Sequence, residues 1–231
     1  MSESALRNSA EEHFRKAPLL DDKIGHTIAV AQTSEKIAKR MKSMGIDVDP
    51  ELAYIGALLH EIGLPQSPYG QTEKEEGEHP WPEHAVVGAQ MARDAGFPEP
   101  VQAAIQSHSG SFNKNEWEEL DLPPAIVGDS WHSNNVVAKV VAIADTIVVS
   151  LRHHDPPLDP WNAETFNKIK DEGAFEEIEK IYRQRIGKTI TRDHPLVQRV
   201  ISEGRTLLDE MIEYVRAEDV PPAWPGLTTM G

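Results

Sequence analysis

Four histidines and one aspartate interrupt the apolar faces of five separate predicted helices, and this pattern restricts the chain more than any other feature. His26 falls in the stripe His26, Val30, Ile37, Met41 and Met44 of a helix expected over about residues 23–44. His60 ends a helix of about residues 50–61, on a face of small residues, Ala53, Gly56 and Ala57, that permits close approach by a neighbouring helix. His84 shares a face with Val87 and Met91, and His108 lines up with Val101, Ala104 and Ile105. Asp145 sits among Val137, Val141 and Val148 in the most apolar helix, about residues 134–152. These assignments rest on the 3.6-residue period of the apolar positions.

A single histidine on an apolar face is ordinarily a hydrogen-bonded core residue. A single aspartate more often caps a helix or pairs with arginine, and Arg152, two turns on, is a candidate partner. Burying a polar group without a partner costs roughly 2–7 kcal/mol. Five such residues on five helices would need five separate local arrangements, whereas one metal site is a single cause. The chain has no cysteine, so thiolate ligands, disulfides and a cysteine nucleophile are all excluded. Imidazoles and carboxylates without thiolate suit Fe, Mn, Co, Ni or Zn, as one or two divalent ions.

No run of residues alternates with the period of a strand, so the fold class is all-α. Asp49-Pro50 reads as an N-cap followed by proline in the first turn, and Gly45 as the preceding helix stop. Beyond residue 155, helices are expected at about 161–172, 175–185 and 195–216, with a loose Pro-rich tail over 220–231. The first 19 residues read as an extension, with His13 in a frayed terminus. Residues 64–83 form a long loop rich in Pro, Gly and Glu, which suits a wall or lid. The formal charge of −15 repels nucleic-acid duplex, and no basic patch offsets it. No apolar run is long enough for a membrane span, and no leader is evident, so a cytoplasmic protein is expected.

The segment Ala57-Leu58-Leu59-His60-Glu61-Ile62-Gly63 resembles the motif of the HD superfamily, in its HDIG subgroup. Glu83-His84-Ala85-Val86-Val87-Gly88-Ala89, Gly96-Phe97-Pro98, Ser107-His108-Ser109-Gly110, Leu122-Pro123-Pro124 and Ala142-Ile143-Ala144-Asp145 are similar to segments of uncharacterised archaeal HD-domain proteins. The resemblance covers about residues 20–152. It implies a helical HD bundle over 20–155. The C-terminal third lies outside the resemblance, and its helices, over 156–219, are expected to pack on the bundle. The resemblance also implies a metal set of His26, His60, Glu61, His84, His108 and Asp145: His26, His60, Glu61 and Asp145 for a first ion, Glu61 bridging to a second completed by His84 and His108, and Glu61 and Asp145 catalytic. The implied activity is phosphate-ester hydrolysis of a small phosphorylated metabolite or nucleotide.

The chain departs from the family at the pair itself, which is His60-Glu61 in place of His-Asp. A dinuclear hydrolase, a one-metal site, and a metal-binding sensor or scaffold all stay open on that ground. A di-iron oxygenase with the same ligand complement is the rival enzyme. Leu64, not a basic residue, follows Gly63. Arg152 shares the face of Asp145 and is the candidate phosphate contact, with His79 and Trp81 of the long loop as further substrate contacts. His132 and His194 are expected to be structural. The C-terminal helices leave a homodimer open, though no heptad forces one.

Overall fold

The computed structural model describes residues 3–67, 83–108, 114–121, 135–153 and 163–221. Among these, every regular element is a helix, as the sequence led us to expect. The α-helices are α1 (Glu3–Lys16), α2 (Asp21–Ser43), α3 (Pro50–Leu59), α4 (Glu83–Asp94), α5 (Glu99–Ser107), α6 (Lys114–Glu119), α7 (Val136–His153), α8 (Ala163–Ile186) and α9 (Pro195–Met211). Short 3-10 turns follow at Leu64–Gln66, Ile212–Tyr214 and Ala217–Asp219. No helix among the described residues is long and apolar enough to cross a membrane.

Local chemistry sets the boundaries. Gly45 takes φ +90° after α2, a conformation open to glycine at little cost, and Ile46 N–H closes back on Met41 O at 3.0 Å. The Asp49 carboxylate then accepts the Glu51 N–H at 2.9 Å, starting α3 with Pro50 in its first turn. Helices α2, α3, α5 and α7 pack around one core that includes Ile37, Ile55, Leu59, Ile105, Ile143 and Ile147, all buried. The small-residue face of α3 does admit a neighbour: a Cβ on Gly56 would stand 2.9 Å from Ala104 Cβ of α5. A second core, with Val86, Trp117, Leu120, Ile178, Ile181 and Val197, joins α8 and α9 to α4 and α6.

Three expectations need correction. The N-terminus is not frayed but forms α1, which packs on α3. Ala10 is fully buried, and the Arg7 guanidinium lies 3.7 Å over the Tyr54 ring and 3.0 Å from Glu51 Oε2. Leu6, Ala10, Phe14 and Ala17 carry the period that marks it, thinly spread among charged residues. The helices expected over 161–172 and 175–185 are one continuous α8. Gly173 does not break it, because a lone helical glycine costs only about 1 kcal/mol and the packing of Ile178 and Ile181 outweighs that. The last long helix stops at Met211, short of residue 216, and the chain turns there to dock Asp219 on α2.

That docking is dense. Asp219 receives Arg40 through both guanidinium nitrogens, at 2.6 and 2.8 Å, and the Arg216 N–H at 2.9 Å. Its backbone carbonyl accepts from Lys36 Nζ at 2.9 Å and from Thr33 Oγ1 at 3.3 Å.

Candidate metal centre

Five helices deliver six side chains to one interior point. His26 comes from α2, His84 from the first turn of α4 and Asp145 from the middle of α7. His60 and His108 are the C-cap residues of α3 and α5. Glu61 follows in the turn that ends at Gly63. A Cβ on Gly63 would overlap the His84 carbonyl and lie 2.5 Å from Gly88 N, so only glycine lets this turn press against α4. That contact brings Glu61 and His84 together.

The side chains fall into two trios. His26 Nε2 stands 3.1 Å from His60 Nε2 and 3.1 Å from Asp145 Oδ1, with His60 Nε2 to Asp145 Oδ1 at 3.9 Å. His84 Nε2 stands 3.0 Å from His108 Nε2 and 3.3 Å from Glu61 Oε2. Ligand atoms of His60, Glu61 and His108 also fall within 4.8 Å of one another, so His60 lies between the trios.

The proton inventory shows what these trios lack. His60 Nδ1 donates to Ala57 O at 2.5 Å, and His108 Nδ1 donates to Ile105 O at 2.6 Å. A carbonyl only accepts, so each neutral ring turns its Nε2 lone pair inward. In each trio the remaining ring brings at most one Nε2 proton to two acceptors. Asp145 Oδ1 and Glu61 Oε2 have no well-formed hydrogen bond. A cation satisfies three lone pairs at once. Donors sharing an ion at 2.0–2.1 Å stand about 3–3.4 Å apart, and of the five separations above only the 3.9 Å one lies well outside that span. The residues fit one or two divalent ions, and His60, with one inward lone pair, can serve only one of them.

Burial pushes His60 and His108 below the ordinary histidine range, His108 to about 4, which keeps both rings neutral and able to ligate. Burial would raise Glu61, but the Lys23 ammonium, followed by the surrounding imidazoles, holds it well below the usual carboxylate range. Asp145 is likewise lowered against the effect of burial, chiefly by its contact with His26. Exposure rises from the centre of the cluster outward: His60 is 0 % exposed, Glu61 6 %, Asp145 16 % and Lys23 37 %.

Lys23 also belongs at the cluster, although Arg152 is the basic residue that the sequence marks as a phosphate contact. The Lys23 Nζ lies 2.8 Å from Glu61 Oε1. The sequence shows only its place, one turn before His26 on the same helix, and not its partner. Lys36 and Arg40 face Asp219 instead, and Lys139 reaches Glu210 at 2.5 Å. Glu83 was also missed. It is buried beside His84 and ion-paired with Arg185 of α8, bracing the first turn of α4. His194 caps α9 through its ring, as a structural residue should. His79, Trp81 and His132 lie outside the described residues, as does the side chain of Arg152.

The fold and the site define an all-helical protein with a buried imidazole and carboxylate cluster suited to divalent cations. The chain belongs to the HD domain family, which matches it over residues 24–148. It is 27 % identical over 179 residues to the uncharacterized protein MJ0778 of Methanocaldococcus jannaschii, covering 77 % of this chain and 83 % of that protein. It is also 31 % identical over 125 residues to a tRNA (cytidine(56)-2'-O)-methyltransferase of Thermoplasma volcanium, covering 54 % of this chain but only 31 % of that enzyme. Among solved structures it is similar to the HD domain of the L. monocytogenes phosphodiesterase PgpH, at 15 % identity and a TM-score of 0.42 over 88 % of this chain and 98 % of that one. The same domain in complex with cyclic-di-AMP matches at 16 % identity and a TM-score of 0.45, over 90 % and 98 %.

Proposed function

We propose that this chain is a metal-dependent phosphohydrolase that cleaves phosphate esters of a small metabolite or nucleotide. The supporting observation is the buried cluster in which His26, His60 and Asp145, and beside them His60, Glu61 and His108, each bring three ligand atoms within 4.8 Å of one another, with His84 next to Glu61, in a chain of the HD domain family. One or two divalent ions held there supply Lewis-acid polarisation of a phosphoryl oxygen and activation of water. The protein's own groups prepare the place. His60 and His108 keep their Nδ1 protons on Ala57 O and Ile105 O, so their lone pairs stay aimed inward. Asp145 and Glu61 stay ionised, and Asp145, the most open of the six, meets incoming water and substrate. Arg152, His79 and Trp81 are our proposed substrate contacts. With a formal charge of −15 the protein surface repels phosphate, so the centre itself must supply the attraction. The absence of cysteine suits a cytoplasmic setting.

The test is to strip the protein and reload it separately with Mn, Fe, Co, Ni and Zn. Each form is then assayed on a panel of phosphomonoesters, phosphodiesters and nucleotides. Turnover restored by metal supports the reading. Oxygen consumption with a mixed-valent iron spectrum and no phosphate release would replace it with an oxygenase. Bound metal without turnover of any kind would leave a sensor or scaffold.

A further inference from the structure

The two trios are alike in composition, each with two imidazoles and one carboxylate, so their intrinsic affinities for a divalent ion should be similar. Lys23 breaks the equivalence. Its ammonium sits 2.8 Å from Glu61 Oε1, while Asp145 is approached by imidazole nitrogens, His26 at 3.1 Å and His60 at 3.9 Å. The oxygen that Lys23 holds is also the one that looks across the cluster. Glu61 Oε2 faces His84 at 3.3 Å, and Oε1 faces His26 at 3.9 Å. Oε1 is therefore the atom through which Glu61 would join the two positions. A carboxylate oxygen has two lone pairs, so it can accept from lysine and still ligate, but the nearby positive charge opposes a second cation. Among the described residues two carboxylates, Glu61 and Asp145, serve the centre, and Lys23 neutralises one of them.

Building on the reading of this cluster as a metal centre, we propose that Lys23 is a positioning residue that makes the two ion positions unequal. Its ammonium on Glu61 Oε1 makes Glu61–His84–His108 the weaker position and His26–His60–Asp145 the tighter one. Lys23 is part-exposed at the outer edge of the cluster, so its removal leaves the core intact.

The experiment is calorimetric titration of the full-length, metal-free protein with Mn²⁺ alone. Electron paramagnetic resonance at each addition reports when two coupled Mn²⁺ ions appear. The parent should show two dissociation constants about tenfold or more apart, with the coupled signal only late in the titration. Lys23→Met should tighten the second ion by about tenfold or more, leave the first unchanged, and bring the coupled signal earlier. Lys23→Arg, which keeps the charge, should titrate like the parent. Should Lys23→Met fail to fold, Lys23→Gln keeps a hydrogen-bond donor without charge and carries the same expectation. A second constant that stays the same or weakens on neutralising Lys23 overturns the proposal, as does a single ion in all the variants. No uptake by the parent overturns the metal-centre reading itself, a distinct result.

Discussion

His60 and His108 stand in the same relation to their helices. Each is the C-cap residue of its helix, and each returns its Nδ1 proton to the carbonyl three residues back, at 2.5 and 2.6 Å. The helix end, where a carbonyl has a lone pair to spare, thereby fixes the tautomer of a ring that belongs to the site. One trio is served by each.

Glu61 is the residue that departs from the family pair, and in the proposed centre its charge would hold the second ion. Glu61→Gln keeps the shape and loses the charge, so it should lose the second ion and keep the first. Glu61→Asp should retain both ions, with any activity kept or raised. Elemental analysis of the three proteins equilibrated in the same excess of Mn²⁺ distinguishes these outcomes. Equal stoichiometry in the parent and Glu61→Gln would remove Glu61 from the ligand set.

Metal should be coupled to folding, because the trios leave acceptors without protons until a cation arrives. At an ion concentration about a hundredfold above its dissociation constant the native state gains roughly 2.7 kcal/mol. For a chain of this size that is a rise in Tm of about 5–10 °C. Calorimetry before and after chelation, with reloading as the control, checks this. Superimposable melting curves after verified removal would count against a buried site.

Two glycine substitutions should move stability in opposite directions. Gly63→Ala drives a methyl into the His84 carbonyl and should cost about 1–3 kcal/mol or more, with weakened uptake at Glu61–His84–His108. Gly173→Ala meets nothing within 4 Å inside α8 and should stabilise by about 0.5–1 kcal/mol. Urea midpoints of both variants are the measurement. A neutral Gly63→Ala would contradict the close packing of the turn on α4.

In the metal-free protein, acid should destabilise before the carboxylates titrate. The folded state holds His60 and His108 below their unfolded value near 6.5, His108 at about 4. The unfolded chain therefore binds more protons between those values, and stability falls as pH drops through that window. The urea midpoint in chelator should decline from pH 7 to pH 5, and His108→Gln should flatten part of that decline. A midpoint constant over the range would mean that these rings are not held neutral.

The helices carrying the cluster were legible because their signals are local. The stripes around His26, His60, His108 and Asp145 have clear period, and Asp49-Pro50 and Gly45 mark their ends chemically. Lys23 was not legible, because a lysine at a helix start reads as solvated until its distant partner is known. Its pairing with Glu61 spans 38 residues and depends on how α2 crosses α3. The grouping of His26, His60 and Asp145 apart from His84 and His108 was implied by the resemblance, but the geometry behind it was hidden for the same reason. It depends on which way each ring turns, and backbone carbonyls decide that for His60 and His108. Helix α1 was missed because its apolar residues are few, and they find their partners on α3.

The clasp between Arg40 and Asp219 joins positions 179 residues apart. During synthesis α2 emerges early with His26 already on it, yet the groups that hold Arg40, Lys36 and Thr33 arrive only when nearly all of the described chain has been made. A contact of such long range closes late and slows the final step of folding. Until then α2 is held mainly by α3 and α7, so the helix bearing the first histidine of the cluster gains its last anchor late.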